Sequence, residues 1–208
     1  MLDSVRNYLS EFGPIGKSEE KILETMKIVD RKNFMLDEFK NSSYLNMAIP
    51  SGFGQTISQP STVARMLQLL DLKKGNKVLE IGTGSGWNAS LICHLVGSDG
   101  RVLSLEVVQE LIKKSKERIR KNKIFNVEIK DVDFRDLKES FDKIIFTAGI
   151  NISQERQIED FARKHLNNGG ICVCPHISGS LIVFKRGKNV FTKEYTKDNY
   201  VFVPLVIN

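Results

Sequence analysis

The chain has 208 residues, enough for one domain with an extension, because a domain usually takes roughly 150 residues. Its 31 Lys and Arg residues against 25 Asp and Glu give a net charge of +6, which suits a polyanionic partner such as RNA. The longest uncharged apolar stretches, such as residues 144–152, fall far short of the roughly 20 residues that span a bilayer. Charged residues also interrupt the N-terminus before the apolar run of a secretion signal can develop, so we expect a cytoplasmic protein.

Apolar residues recur at helical spacing in the first part of the chain. They are Val5, Leu9 and Phe12, followed by Ile22, Leu23, Met26 and Val29. This spacing predicts two helices that pack on a core. Gly52, Gly54 and Pro60 bracket a loop, and the apolar pattern of residues 61–70 predicts a third helix.

From residue 77 onward, strand and helix patterns alternate. Strands are predicted at residues 77–81, 101–106, 126–130, 142–147, 171–174, 180–185 and 200–206, and helices at residues 88–96, 109–121 and 155–166. The cluster Asn167-Asn168-Gly169-Gly170 predicts a helix stop and a turn. The alternation indicates an α/β fold with a doubly wound, mostly parallel seven-stranded sheet covered on both faces. The last strands have no helix between them and should pair antiparallel.

Two other patterns are assigned to structure. Cys172 and Cys174 are two apart in an apolar run, which predicts that both side chains face the core. The basic residues of segment 113–123 alternate with apolar ones at helical spacing, which is typical of a solvated helix face. No metal site is expected, because the three histidines lack the spacing of a metal motif.

The candidate chemistry concentrates in the segment Val78-Leu79-Glu80-Ile81-Gly82-Thr83-Gly84-Ser85-Gly86. A predicted strand runs into glycines, which let the backbone turn sharply and approach a ligand, and a helix begins directly afterwards. Glu80 lies in this strand-to-loop turn, and Glu106 ends the next strand, where it is placed for ribose hydroxyls. Trp87 stands where the dinucleotide fingerprint needs its third glycine, and no Gly-Lys-Ser/Thr phosphate loop follows. A sulfonium nucleoside, which carries no pyrophosphate, does not demand those spacings.

A second segment makes the pattern specific. Gly54-Gln55-Thr56-Ile57-Ser58-Gln59-Pro60 resembles the signature loop of the protein-L-isoaspartate O-methyltransferases, and it precedes the glycine segment at that family's distance. Segments 141–148, 169–170 and 201–205 are similar to the family's later blocks, in the same order. The similarity runs from about Arg31 to Leu205 and so covers nearly the whole chain.

The resemblance implies S-adenosylmethionine-dependent methyl transfer to the carboxylate of L-isoaspartyl residues in damaged proteins, with S-adenosylhomocysteine as the product. The ester can then close to a succinimide that reopens as normal aspartate, which is protein repair. The same resemblance implies one methyltransferase domain over residues 1–208, with helices and a substrate loop at 1–75 and a cofactor-binding core at 76–208. Isoaspartyl proteins and peptides are then the expected partners, with no membrane and no nucleic acid, and a monomer is expected.

The resemblance also implies roles for individual residues. Ser58 matches the family's active-site serine, and Thr56, two residues earlier in an extended loop, could help to orient the substrate carboxylate. Ser58 could instead be an N-cap of the helix that follows it. The expected cofactor-binding residues are Glu80, Gly82, Thr83, Gly84 and Ser85 at the methionine and ribose end, Glu106 at the ribose hydroxyls, and Asp133 near the adenine amine.

Two departures from the family pattern leave alternatives open. Val132 and Phe134 replace glycines beside Asp133, which could then be a surface aspartate. Pro175-His176-Ile177-Ser178 replaces Pro-Val-Gly in a loop expected near the substrate, where His176 is either exposed and inert or alters the peptide site. The alternative functions are an O-methyltransferase acting on another peptide or small-molecule carboxylate, a tRNA methyltransferase, and a protein that binds the cofactor without turnover.

Overall fold

A computed structural model of the protein describes residues 1–206. The helices are α1 (Leu2–Ser10), α2 (Lys17–Ile28), α3 (Pro60–Leu70), α4 (Trp87–Val96), α5 (Gln109–Lys121) and α6 (Glu155–His165). The strands are β1 (Ile49–Gly52), β2 (Gln55–Ile57), β3 (Lys77–Ile81), β4 (Arg101–Leu105), β5 (Val127–Lys130), β6 (Phe141–Phe146), β7 (Leu166–Pro175), β8 (Ser178–Gly179), β9 (Leu181–Arg186), β10 (Phe191–Tyr195) and β11 (Tyr200–Val201). In the described part of the chain, no helix is long and apolar enough to cross a membrane.

The central sheet has seven strands in the order β10-β9-β7-β6-β3-β4-β5. The five strands from β7 to β5 in this order run parallel, and β9 pairs antiparallel with β7 on one side and with β10 on the other. The prediction of a doubly wound, mostly parallel sheet with antiparallel C-terminal strands is therefore confirmed. The strand order reverses between β3 and β6, and open α/β sheets bind ligands in the crevice beyond the carboxyl ends of the strands at such a point.

Helices cover both faces of this sheet because apolar side chains along the inner strands alternate between the faces. Val78 joins a core cluster that α1 to α5 share, and Leu79 joins the cluster beneath α6. The two N-terminal helices and the helix before β3 occur where the sequence predicts them. Cys172 and Cys174 are both fully buried in the second cluster, as predicted from their spacing.

Two predictions about strands are wrong. Residues 200–206 do not enter the central sheet, since only β11 is a strand there and it pairs with β8 in a separate ladder. The edge position belongs to β10, whose half-exposed sequence offers no apolar run by which it could have been predicted. The cluster Asn167–Gly170 is not a turn either. It lies inside β7, where a register shift against β6 and a φ of 81° at Gly169 accommodate the glycines.

Candidate active site

A cleft of about 720 Å³ opens at the carboxyl ends of β3, β4 and β6. Its walls come from segments that are far apart in the chain. They include Gln55–Gln59 after β1, Ile81–Ser85 after β3, Leu105–Val108 after β4, Val132–Phe134 after β5, Thr147–Ala148 after β6, and the C-terminal residues 199–206. The cleft thus brings the predicted glycine segment and the predicted substrate loop to one place.

Two glycines in the loop between β3 and α4, Gly82 and Gly84, have different surroundings. Gly82 has a φ of 99°, and a Cβ there would collide with the side chain of Thr147, whose hydroxyl donates to Ile81 O at 3.0 Å. Gly84 has a φ of 52°, and no protein atom lies within 4 Å of the place its Cβ would take. Gly82 therefore lets the loop pack against the end of β6, whereas Gly84 leaves room for a ligand in the cleft.

The Glu106 carboxylate is held at the edge of the cleft by backbone amides. The Gly84 N–H donates to Oε2 at 2.8 Å, and the N–H groups of Val107 and Val108 donate to Oε1 at 2.9 and 3.1 Å. An ionised carboxylate offers about four acceptor sites, so at least one remains for a hydroxyl of a ligand. Glu106 lies in the cleft lining, and it also fixes the glycine loop, which the sequence does not reveal.

Glu80 does not line the cleft, which corrects the prediction that it lies at the methionine and ribose end. Its side chain is fully buried below the loop, where Asn88 Nδ2 donates to Oε1 at 2.8 Å and the Ser104 hydroxyl donates to Oε2. Ser104 in turn bonds the Thr83 hydroxyl at 2.5 Å. Burial raises the pKa of Glu80 to about 7, against the lowering effect of these hydrogen bonds. Glu80 therefore supports Thr83 from beneath.

Asp133 lies in the cleft lining after β5, rather than on an open surface. Its carboxylate accepts from the backbone N–H of Arg135 at 2.8 Å and pairs with the Arg135 guanidinium, which holds the pKa of Asp133 below its usual range. The residues that replace the family's glycines on either side also line the cleft. Of these, Phe134 makes edge-to-face contacts with Phe146 and Phe161, so it closes the cleft floor with core packing.

Thr56 and Ser58 both line the cleft from the β1–β2 hairpin. Thr56 pairs with Pro50 in the ladder, and Ser58 follows directly after the last pair, Ile49 with Ile57. Within residues 1–206, neither hydroxyl has a hydrogen-bond partner, so both are available to a ligand. The two predicted hydroxyls are thus placed beside the same space.

The alternative role of Ser58 as an N-cap is wrong. The cap position of α3 is Gln59, with no hydrogen bond from its side chain to the helix. The backbone N–H of Ser61 in the first turn donates instead to Asn46 Oδ1 at 3.0 Å. A side chain from a preceding loop therefore satisfies the start of α3, which leaves the Ser58 hydroxyl free of that task.

The His176 side chain is buried, so the expectation that it is exposed is wrong. It is also absent from the cleft lining, so it does not lie beside the candidate substrate space. Its Nε2 lies 2.8 Å from Glu155 Oε1, and its ring stacks on Tyr195. The loop contributes to the cleft through its backbone, because the Phe202 N–H donates to Ile177 O at 2.9 Å. This bond anchors the C-terminal segment that forms one wall.

That C-terminal wall is the part of the site that strand patterns did not predict. Gly149, which follows β6, accepts from the Leu205 N–H and donates to Val203 O, both at 2.8 Å. In the sequence, segment 201–205 stands out only through its resemblance to a family block, because its apolar pattern is that of an ordinary strand.

Within residues 1–206, no group of three or more His, Cys, Asp or Glu side chains could hold a metal ion.

Comparison with known proteins points in one direction. The sequence model of the family protein-L-isoaspartate(D-aspartate) O-methyltransferase matches residues 8–208. A protein-L-isoaspartate O-methyltransferase of Fervidobacterium nodosum is 36% identical over 188 residues, which cover 87% of this chain and 92% of the relative. One from Photorhabdus laumondii is 35% identical over 209 aligned residues, with 98% and 96% covered.

Two solved structures share the fold. One is a protein-L-isoaspartate O-methyltransferase with a TM-score of 0.80 and 24% identity, and the match covers 98% of this chain and 65% of that one. The other is a beta-aspartate methyltransferase from Plasmodium falciparum in complex with S-adenosyl-L-homocysteine, with a TM-score of 0.78, 23% identity and coverage of 99% and 98%.

Proposed function

This chain belongs to the protein-L-isoaspartate(D-aspartate) O-methyltransferase family, and from that premise we propose that it methylates the α-carboxylate of L-isoaspartyl residues in damaged proteins, with S-adenosylmethionine as the donor. The observation that supports this most is the shared cleft, which places Gly84 and Glu106 beside the same space as Thr56 and Ser58. A donor over the glycine loop and an acceptor beside the hairpin would meet in that space, as direct transfer requires.

The cofactor end of the cleft fits S-adenosylmethionine. The open space at Gly84 would admit the ligand against the backbone, and the Glu106 carboxylate, which accepts from Gly84 N–H at the cleft edge, would also accept from ribose hydroxyls. Gly82, Thr83 and Ser85 line the same cleft, as does Asp133, which in this proposal would meet the adenine amine. When bound, S-adenosylmethionine supplies a methyl group on a positively charged sulfur and leaves as S-adenosylhomocysteine.

The acceptor end needs little acid–base chemistry. An isoaspartyl carboxylate is already ionised at neutral pH, so its oxygen can attack without a strong general base. The Thr56 and Ser58 hydroxyls can donate to one carboxylate oxygen and leave the other directed at the methyl group. Apolar side chains of the C-terminal wall, including Phe202 and Leu205, exclude water from the same space. Positioning then supplies most of the rate gain.

We further propose that the enzyme is a cytoplasmic monomer with a single domain over residues 1–208, acting on polypeptides rather than nucleic acid. The placement of the basic helix α5 supports a peptide substrate, because Lys113, Lys116 and Arg120 point to solvent and do not line the cleft. Lys114 lies over the Phe53 ring at 4.9 Å and so belongs to the packing of the hairpin tip.

The test is methyl transfer from labelled S-adenosylmethionine to an isoaspartyl peptide, to the same peptide with a normal aspartyl residue, and to bulk tRNA. We expect label in the isoaspartyl peptide alone, as an ester that base releases. Transfer to tRNA, or equal transfer to both peptides, would replace the proposed substrate by one of the alternatives. Cofactor binding without transfer to any of the three would reject the proposed substrate and leave two alternatives, a methyltransferase for another carboxylate and a protein that binds the cofactor without turnover.

A further inference from the structure

Arg31 is a buried cation without an acidic partner. It follows α2 at the start of a 3-10 turn, Arg31–Phe34, and its side chain has no exposed surface. No Asp or Glu side chain among residues 1–206 pairs with it. Burial lowers the pKa of Arg31 to about 10, which still leaves the guanidinium charged at neutral pH.

Backbone carbonyls take the place of a carboxylate. Nη1 donates to the carbonyl oxygens of Ser43 and Leu45 at 3.0 and 3.3 Å. Nη2 donates to the carbonyl oxygen of Met47 at 2.9 Å, and to those of Ile57 and Ser58 at 3.3 and 3.1 Å. One guanidinium therefore connects segment 43–47 to the backbone that carries the candidate active-site hydroxyls.

The backbone at Ser58 has little other support. The last pair of the β1–β2 ladder is Ile49 with Ile57, and α3 begins at Pro60 without a cap from the side chain of Gln59. Ser58 thus lies between two elements and belongs to neither of them. The hydrogen bond from Arg31 to its carbonyl oxygen ties it to segment 43–47, whose Asn46 also holds the first turn of α3.

Burying the Arg31 guanidinium opposes folding, because the charge loses its hydration. Substituting apolar side chains of similar volume for buried ion pairs often leaves the free energy of unfolding unchanged or raises it. Among residues 1–206, the guanidinium is compensated only by carbonyl dipoles and by the Trp87 ring, whose centroid lies 5.4 Å away. The planar fork spreads its donors over two nitrogens and so reaches carbonyls of two segments, whereas a lysine ammonium concentrates its donors on one nitrogen and an apolar side chain has none.

We propose that Arg31 is a positioning residue for the methyl acceptor, because its guanidinium holds the Ile57–Ser58 backbone and thereby places the hydroxyls of Thr56 and Ser58 in the cleft. Arg31 lines no part of the cleft and acts through Ser58. This inference rests on the proposed function of the cleft.

The first test needs no turnover. In Arg31→Lys the charge remains, but the fork that bridges segments 43–47 and 57–58 is lost. Amide hydrogen exchange of segment 55–59 should become about ten-fold faster or more, since the local opening free energy falls. Binding of S-adenosylhomocysteine, measured by calorimetry, should stay within about two-fold of the parent. The matched control is Ile158→Ala, a destabilising change at a fully buried residue of α6 that does not line the cleft, and it should leave exchange of segment 55–59 unchanged.

The second test is a double-mutant cycle on turnover of an isoaspartyl peptide. If Arg31 acts through Ser58, Arg31→Lys should lower kcat about ten-fold or more while the KM for S-adenosylmethionine stays constant. Ser58→Ala added to Arg31→Lys should then lower kcat by less than about two-fold further, because the hydroxyl has already lost its position.

Several outcomes would overturn the inference. They are unchanged exchange of segment 55–59, additive effects in the cycle, equal loss of cofactor affinity and turnover, and a variant too unstable to bind S-adenosylhomocysteine. The last two would show that Arg31 supports the whole fold. A parent enzyme that does not methylate the isoaspartyl peptide would reject the proposed substrate instead, and the exchange measurement would still decide whether Arg31 holds the loop.

Discussion

The Ser58 hydroxyl lies beside the cleft and makes no hydrogen bond within residues 1–206. Asn46 satisfies the first turn of α3 in its place. A residue whose polar group has no structural partner can be changed without loss of a native hydrogen bond, so its removal should act on function rather than on stability.

Ser58→Ala should therefore lower turnover of an isoaspartyl peptide by one to two orders of magnitude, about 1.4–2.7 kcal/mol of barrier. Cofactor affinity and the midpoint of thermal unfolding should barely change. Turnover, calorimetric binding and thermal unfolding measured on one preparation test this. If the variant melts earlier and still turns over at the parent rate, Ser58 has no part in orienting the acceptor.

Glu80 is a residue whose burial gives stability a pH dependence. Its carboxyl has a pKa of about 7 in the fold, against 4.5 for the unperturbed group. At a pH between these two pKa values, the Glu80 carboxyl is ionised in the unfolded chain but keeps its proton in the folded protein. The stability that the protonated carboxyl contributes is therefore complete below pH 4.5 and is lost as the pH rises through 7.

Glu80→Gln should remove this dependence, because the amide is neutral at every pH and Ser104 can accept a hydrogen bond from it while donating to Thr83. Relative to the variant, the parent's free energy of unfolding should fall by on the order of 2 kcal/mol between pH 5 and pH 8. Chemical denaturation of parent and variant at both pH values measures this difference in the free energy of unfolding. Glu24→Gln, at an exposed site on α2, is the control and should behave like the parent.

At the scale of elements, the β3–α4 loop needs a backbone conformation that favours glycine, as well as the side chains that hold it. Gly84 and Gly75 make this testable, since both have a positive φ, at 52° and 82°, and neither has an atom within 4 Å of its missing Cβ. Only Gly84 borders the cleft. A side chain at either position meets the same kind of backbone strain, but only one of them enters the space of a ligand.

Gly84→Val should abolish binding of S-adenosylmethionine, whereas Gly75→Val should bind it like the parent. Each variant should lose about 1–3 kcal/mol of stability, the usual cost of a non-glycine residue held in such a conformation. Calorimetric binding and denaturant unfolding of the pair separate steric block from strain. Retained affinity in Gly84→Val would place the cofactor elsewhere in the protein.

At the scale of the whole molecule, the N-terminal helices and the sheet share a core. Val5 and Met26 belong to the same apolar cluster as Val78, Val173 and Leu181. Apolar surface shared in this way couples the two parts, because neither can expose it without cost to the other. The first 75 residues and the remaining chain should therefore fold as one unit.

Trp87 is the chain's single tryptophan and reports directly on this coupling. It is 1% exposed at the start of α4, and its Nε1 donates to Val29 O, just after α2, at 3.0 Å. Its fluorescence and the far-UV circular dichroism should change in one coincident denaturant transition. S-adenosylhomocysteine should shift both signals together, by about 2.7 kcal/mol at one hundred times Kd. A fluorescence change that comes earlier would contradict a single domain.

By itself, the sequence determined the parts of this protein that local patterns encode. Helical and strand periodicity predicted α5 with its observed bounds and the parallel strands of the core, because these patterns express which face of an element is buried. The glycine segment pointed to one wall of the cleft, and the resemblance of the Thr56 to Ser58 run to a family motif pointed to another. The glycines could be recognised because steric freedom of the backbone is a property of the single residue.

Only the tertiary structure decided what depends on contacts between distant segments. In the fold, Glu80 is buried below the loop, and β10 rather than residues 200–206 forms the edge strand of the central sheet. Asn46, not Ser58, accepts the hydrogen bond from the first turn of α3. The fold also surrounds Arg31 with carbonyls of two loops. Burial and hydrogen bonding in these cases are set by residues many positions away, and no local periodicity records which partners the fold will bring together.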